Sequence, residues 1–228
     1  MCGRFTLRRP AKVNIEGLTG SDLFASAPRY NIAPSQDVLA ITETAEQRTV
    51  SLFKWGLIPS WSKDAAGFIN ARAETLERKG SFKESFERRR CLIPADGFYE
   101  WKKAGKFKQP YYFQLKDESP FSFAGIWDRW RRGETTITSC AIITTTPNAL
   151  LESIHDRMPA ILHDEDQDSW LRGNARLEEL RALLAPFPAA EMKSFPVSLE
   201  VNSPHVDEPR LVEPTDESLP VSGLLFDL

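Results

Sequence analysis

The chain opens Met-Cys-Gly-Arg-Phe, and Cys2 is its most reactive position. A small residue after the initiator permits removal of Met1. The new terminus then carries an amine and a thiol on adjacent carbons. The reference pKa is about 7.7–8.0 for an α-amine and about 8.5 for a thiol. Near neutral pH the amine is therefore partly free, and a minor thiolate fraction is expected without special tuning. A 1,2-aminothiol reacts with an aldehyde in two steps. The amine forms an imine, as a lysine Schiff base does. The thiol then adds to the imine carbon and closes a five-membered thiazolidine, which hydrolyses far less readily than an imine. A ring-opened abasic deoxyribose presents such an aldehyde. A cysteine at position 2 by chance is the plain alternative.

Three further segments carry usable chemistry. In Phe68–Thr75 (FINARAET), Asn70 offers an amide acceptor and two donors. Arg72 in the same segment offers a planar fork suited to phosphate. In Gly97–Lys103 (GFYEWKK), Glu100 sits among Phe98, Tyr99 and Trp101. That setting raises a carboxyl pKa and makes it an acid or base near neutrality. In Ser153–Pro159 (SIHDRMP), His155 precedes Asp156 and Arg157. Each has a bland alternative: Asn70 as a turn cap, Glu100 as a surface strand residue, His155 as a helix-end hydrogen-bonding group. His155 and His163 are eight apart with no cysteine near, which matches no common zinc site. No metal or cofactor is expected.

Charge and aromatics suggest a polyanionic partner. Net charge is −3, but residues 1–132 carry a balance of +8 and residues 133–228 one of −11. Ordinary solvated surface explains that asymmetry equally well. Lys102, Lys103, Lys106 and Lys108 follow Trp101, and Arg129, Arg131 and Arg132 surround Trp130. Single-stranded bases stack on aromatic faces while cations track phosphates. Trp55 and Trp127 read as core. Trp61, in the Pro- and Ser-bounded turn IPSWSK, is the best exposed candidate.

The positioning elements are mostly short strands. Asp37–Thr44, Val50–Ile58, Tyr111–Lys116, Phe121–Trp127, Thr138–Thr145 and Lys193–Ser198 are rich in β-branched and aromatic residues. Cys140–Thr145 (CAIITT) reads as a strand buried on both faces. Helical patterns occupy Ser81–Arg90, Pro147–Asp156, Asp164–Leu171 and Arg176–Leu184. Strands and helices do not alternate, so an α+β fold on an antiparallel, barrel-like sheet is expected. From about Ser203 a Pro-punctuated acidic tail begins, wrapped or partly disordered, with an apolar end at Val221–Leu228. With 41% apolar residues in 228, the chain can bury a sizeable core. It shows neither a secretory h-region nor an apolar run long enough to span a membrane, and reads as cytoplasmic. Cys2, Cys91 and Cys140 are poor disulfide material.

Seven segments in order resemble one family: MCGRF at the start, RYNIAPSQ at Arg29–Gln36, WGLIPSW at Trp55–Trp61, INARAET, CLIPADGFYEWKK at Cys91–Lys103, IHDRMPAIL at Ile154–Leu162 and PVSLEVN at Pro196–Asn202. Together they are similar to the SRAP (SOS response-associated peptidase) family, whose members are abasic-site processing proteins. The resemblance implies a domain over residues 1–202 with mixed strands and helices around a basic groove, and a tail over 203–228. It implies a thiazolidine on Cys2 after Met1 loss, formed with abasic sites in single-stranded DNA by a chain acting as a monomer on the nucleoid. Asn70 matches the residue that holds the sugar and the Cys2 end. Glu100 matches the acid/base in imine formation. His155 matches the residue that handles sugar protons during ring opening and reversal. Arg4, Arg72 and Arg157 fall at phosphate-gripping positions, and Thr75 assists. Pro34 and Trp61 shape the groove near the lesion. Ser62 stands where some relatives carry a second Trp. A lyase side activity and self-removal of Met1 belong to this expectation. The remaining readings are a thiol peptidase using Cys2 with Glu100 and His155, and a non-covalent DNA-binding module.

Overall fold

Strand pairing begins at the very start of the chain, and it decides where Cys2 sits. In the computed structural model, residues 2–13, 15, 27–44 and 47–216 are described. Among them the strands in chain order are β1 (Arg4–Leu7), β2 (Arg29–Ile32), β3 (Asp37–Glu43), β4 (Arg48–Trp55), β5 (Asn70–Arg72), β6 (Arg90–Ala95), β7 (Gly97–Ala104), β8 (Phe107–Leu115), β9 (Phe121–Arg132), β10 (Thr135–Thr145), β11 (Met158–Pro159), β12 (Ile161–Leu162) and β13 (Met192–Pro196). The helices are short: α1 (Lys83–Arg88), α2 (Gln167–Leu171) and α3 (Leu177–Ala182).

The strands form two units. One is a five-stranded antiparallel sheet in the order β13-β8-β7-β1-β2. The other closes on itself: β10, β4, β3, β6 and β9 pair in succession, and β9 pairs back to β10. All joints of this five-strand barrel are antiparallel except β4–β10, which is parallel through Ser139–Lys54 and Cys140–Trp55. Closure removes the free edges that an open sheet leaves unpaired. The short β5 adds to β10 in parallel.

Alternation along the barrel strands feeds two cores. Cys140 and Ile142 join Phe5, Trp55, Phe98, Phe113 and Phe123 in a cluster that ties the five-stranded sheet to the barrel. Ala141 and Ile143 face the other way, with Phe86, Trp170 and Leu180 from the helices. This is why Cys140–Ile143 is an unbroken apolar run. The far face of the five-stranded sheet is covered by the C-terminal segment, where Leu211 and Val201 pack on Tyr99 and Tyr112. The backbone N–H groups of Tyr30 and Asn31 donate to Asp207 Oδ1, and Thr215 N donates to Pro196 O at 2.9 Å. Residues 203–216 therefore wrap on the body. Val221–Leu228 lies outside the described residues.

The chain crosses from barrel to sheet at Asp96, between β6 and β7. Asp96 accepts from Thr6 Oγ1 at 2.6 Å and from the backbone N–H groups of Arg8 and Arg9 at 2.6 and 2.9 Å. At the next position only glycine fits. A Cβ on Gly97 would stand 1.9 Å from the Tyr112 hydroxyl.

Two of the segments read from the sequence take a different form. The segment 147–156 forms successive turns rather than a helix. Thr145 pairs with Met158, so the excursion must return to its starting point. A straight helix of that length, at about 1.5 Å per residue, leaves too little chain to come back. The buried Asn148 side chain takes the N–H groups of Leu150 and Leu151 at 3.1 Å each instead. The strand expected over Val50–Ile58 stops at Trp55, because Gly56 adopts φ 138° and Leu57 leaves to pair with Phe68.

Candidate functional site

Cys2 is fixed by its neighbours in β1. Phe5 is buried edge-on against Trp55 and Phe123, at 5.1 and 5.6 Å between ring centroids. Truncating such a residue costs about 3–5 kcal/mol, so the anchor is firm. The register that sets Arg4 opposite Tyr99 and Phe5 opposite Phe98 runs the two preceding residues alongside Glu100. Cys2 itself is fully buried, with Sγ 4.0 Å from Arg4 O. Burial pushes its thiol far above the ordinary range, and the negative charge of Glu100 adds to the push. In the chain that carries Met1, burial thus works against the minor thiolate fraction of a solvated thiol. The reference value describes a solvated thiol, and only packing reveals the desolvation.

Asn70 reaches the same point from the other unit. β5 holds it beside Ile142 of β10, and its Nδ2 donates to the Cys2 carbonyl oxygen at 2.8 Å. Its Oδ1 is buried and has no hydrogen-bond partner among the described residues. An orphaned acceptor in a buried setting costs about 1–3 kcal/mol, so this atom is primed to receive a donor.

Glu100 on β7 is 1% exposed. Burial raises its pKa from the ordinary 4.5 to about 7, so both protonation states are populated near neutrality. His155 comes from the turns after β10, with Nε2 3.9 Å from Glu100 Oε2. Its Nδ1 accepts from the Arg157 backbone N–H at 3.0 Å and lies 3.0 Å from Asp156 Oδ1. A lone pair that accepts from the backbone leaves no proton for the carboxylate. The backbone contact is fixed by the turn, whereas the Asp156 side chain is 85% exposed and free to move. We therefore assign the proton to Nε2, facing Glu100. Burial lowers the His155 pKa, and Lys103 contributes in the same direction. The imidazole is neutral at neutral pH.

The structure gathers Cys2, Asn70, Glu100 and His155 from four separated elements. The other candidates are distributed around them. The Arg4 guanidinium turns to the C-terminal segment, donating to Asn31 Oδ1, Val201 O and Asn202 O at 2.8, 2.7 and 3.1 Å. Arg157 is buried and forks onto Glu74 at 2.8 and 2.9 Å. Both arginines are thus committed to protein groups. Arg72 is exposed, and the Thr75 hydroxyl donates to Arg72 O at 3.1 Å. Pro34 is half-buried in the turn before Ser35, whose N–H donates to Trp55 O at 2.8 Å. Trp61 is 66% exposed on a loop with a closed neck, where Leu57 and Phe68 exchange two backbone bonds of 2.9 Å. That neck requires Gly67, since a Cβ there would lie 2.3 Å from Gly56 O. The loop is further tied by Ser60 N to Asp128 Oδ2 at 2.8 Å and by Trp130 Nε1 to Ser62 O at 2.9 Å.

Sequence reasoning missed Glu74, the partner that holds Arg157 between the Asn70 segment and the His155 turn. It also missed a cavity of about 680 Å³ that opens from Glu100 and His155 toward the β7–β8 hairpin. A lone aromatic residue within a lysine run, Phe107 in KKAGKFK, was the available signal.

Comparison with known proteins identifies the family of the chain. Residues 1–204 match the model of the family described as SOS response associated peptidase (SRAP). The chain is 44% identical over 222 residues to the abasic site processing protein YoqW of Bacillus subtilis, covering 93% of this chain and 99% of that protein. It is 31% identical to the abasic site processing protein YedK of Escherichia coli, covering 94% and 100%. A crystal structure of a protein from Bacteroides thetaiotaomicron superposes with a TM-score of 0.82 at 29% identity, covering 94% of this chain and 100% of the other. The chain, with its closed barrel, its five-stranded sheet and its buried Cys2, belongs to the SRAP family.

Proposed function

We propose that this protein processes abasic sites in DNA by capturing them covalently on Cys2 after Met1 is removed. The observation that carries the reading is the convergence of an amide, a carboxyl and an imidazole on the second residue of the chain. The relatives' names, abasic site processing proteins, point the same way.

The chemistry divides among the residues as follows. The α-amine of Cys2 attacks the aldehyde carbon of the ring-opened sugar. Protonated Glu100, with a pKa of about 7, donates to the carbinolamine hydroxyl, and water leaves to give the protonated imine. The thiol then adds to the imine carbon while its proton returns to the Glu100 carboxylate, which leaves a neutral ring nitrogen and regenerates the acid. Aldehyde plus aminothiol gives thiazolidine plus one water. A base at hand is essential, because burial holds the thiol protonated. Asn70 holds the Cys2 carbonyl and leaves Oδ1 to accept from a sugar hydroxyl. Neutral His155 serves proton transfer to and from the sugar oxygen during ring opening and reversal. The imine also acidifies the neighbouring sugar proton, so some β-elimination with strand cleavage accompanies capture. Single-stranded DNA suits exposed Trp61 and exposed Arg72.

A general thiol peptidase fits less well. Such enzymes depress the nucleophile's pKa, and burial here raises it. The test uses protein whose intact mass shows loss of Met1. Incubation with single-stranded DNA bearing an abasic site gives a heat-stable shifted band. The band disappears in Cys2→Ala and after acetylation of the α-amine. Persistence of the band in Cys2→Ala, or its absence in the processed wild type, refutes capture. Cleavage of unrelated peptides supports the peptidase instead.

A further inference from the structure

The cavity beside Glu100 and His155 has a second wall that the capture chemistry does not use. Lys103, Lys106, Lys108 and Phe107 of the β7–β8 hairpin form it, with Leu199 on the facing segment. Lys103 stands directly opposite Lys108 across the two strands. Like charges in that relation destabilise a sheet, so the pairing serves no purpose for the fold. None of the three side-chain ammonium groups has a hydrogen bond or an ion pair among the described residues. Lys102, by contrast, lies over the Tyr111 ring at 5.7 Å. Among the described residues, Glu100 is the one carboxylate on the cavity wall. Phe107 and Leu199 are 54% and 44% exposed, two of the five large exposed apolar side chains among the described residues. A volume of about 680 Å³ lies within the range of organic ligand sites.

Cations without partners around an exposed aromatic match the chemistry of a nucleotide strand, in which phosphates alternate with stacking faces. We propose that this cavity is a subsite for the DNA flanking the lesion on one side, with Lys106 and Lys108 on phosphates and Phe107 against a base. The inference rests on the capture reading, since the cavity opens onto the capture residues and the strand must leave them in some direction.

The test reads non-covalent binding, so that it is independent of capture. The full chain is titrated with single-stranded oligonucleotides carrying a tetrahydrofuran abasic analogue, which has no aldehyde. The double substitution Lys106→Ala/Lys108→Ala flattens the slope of log affinity against log salt by about 1.4, two phosphate contacts at about 0.7 each. Phe107→Ala weakens binding about tenfold and leaves the slope unchanged, because stacking releases no counterions. Both effects vanish when the oligonucleotide is cut back to the lesion on one flank and persist when it is cut back on the other. Lys106→Arg/Lys108→Arg retains the wild-type slope. Unchanged slope and affinity in the alanine variants, or effects that survive both truncations, overturn the subsite. Failure of the wild type to form an adduct with a natural abasic site overturns capture and leaves these slopes to judge the subsite alone.

Discussion

Oε2 of Glu100 lies 3.9 Å from Nε2 of His155, and burial drives both groups toward neutrality, the carboxyl upward and the imidazole downward in pKa. A carboxyl that titrates near 7 beside a neutral imidazole can give and take protons without a change of conformation. The same burial is a cost to the fold whenever Glu100 is charged.

That cost has a defined pH signature. The Glu100 pKa is raised on folding from about 4.5 to about 7. The native state therefore binds more protons than the unfolded state between those values. Its contribution to stability is complete below pH 4.5 and is lost as pH rises through 7. Integrated over the window this is about 3 kcal/mol as an upper bound. Glu100→Gln should remove this dependence. Urea unfolding at pH 5 and pH 8 checks it: the wild type loses stability between the two relative to the variant. Equal pH dependence in both proteins contradicts the assignment.

Asn70→Ala should act on chemistry more than on folding. The lost bond to the Cys2 carbonyl costs about 1 kcal/mol, partly offset by removal of the orphaned Oδ1. The rate of adduct formation should fall at least about tenfold, as expected when a positioned nucleophile loses its restraint. Single-turnover kinetics with a saturating abasic oligonucleotide measure it. A rate within twofold of wild type removes Asn70 from the site.

The Glu74–Arg157 fork separates bracing from phosphate binding at Arg157. Arg157→Lys keeps the charge and loses the fork. A brace predicts a lower melting temperature and a slower capture reaction in Arg157→Lys. A double-mutant cycle with Glu74→Ala should show coupling of about 1–3 kcal/mol. No coupling, together with a lysine variant that behaves as wild type, returns Arg157 to the list of free phosphate ligands.

Trp61 and Arg72 are exposed, so their loss should leave stability within about 0.5 kcal/mol of wild type. Trp61→Ala should weaken single-strand binding by about 1–3 kcal/mol. Arg72→Ala should flatten the salt slope by about 0.7. Fluorescence titration at several salt concentrations reads both. Gly67→Ala should reproduce the Trp61 defect with the tryptophan still present, because the neck of its loop cannot accept a Cβ.

Much was legible before any coordinates. The spacing of β-branched and aromatic residues located β3, β10 and β13 to within three residues and found the apolar parts of β8 and β9 without their polar ends, because the core-facing residues carry that signal. The strands that build the site were harder to see. β5 is three residues long and owes its existence to pairing with β10. β1 opens with Arg4 and has no turn signal before it. The turns at 147–156 read as a helix because Leu150, Leu151 and Ile154 share helical spacing, and only the Thr145–Met158 pairing forbids it.

The sequence by itself determined the chemical repertoire: an aminothiol available at position 2, an amide at 70, a carboxyl at 100 and an imidazole at 155. Covalent structure suffices for that, since functional groups are written in residue identities. Tertiary structure alone decided their protonation and their company. Burial of Cys2 and Glu100, the bond from Asn70, and the protein contacts of Arg4 and Arg157 all depend on which non-local strands pair. A pKa or an ion pair is set by what surrounds a group in space, and distant parts of the chain supply those surroundings.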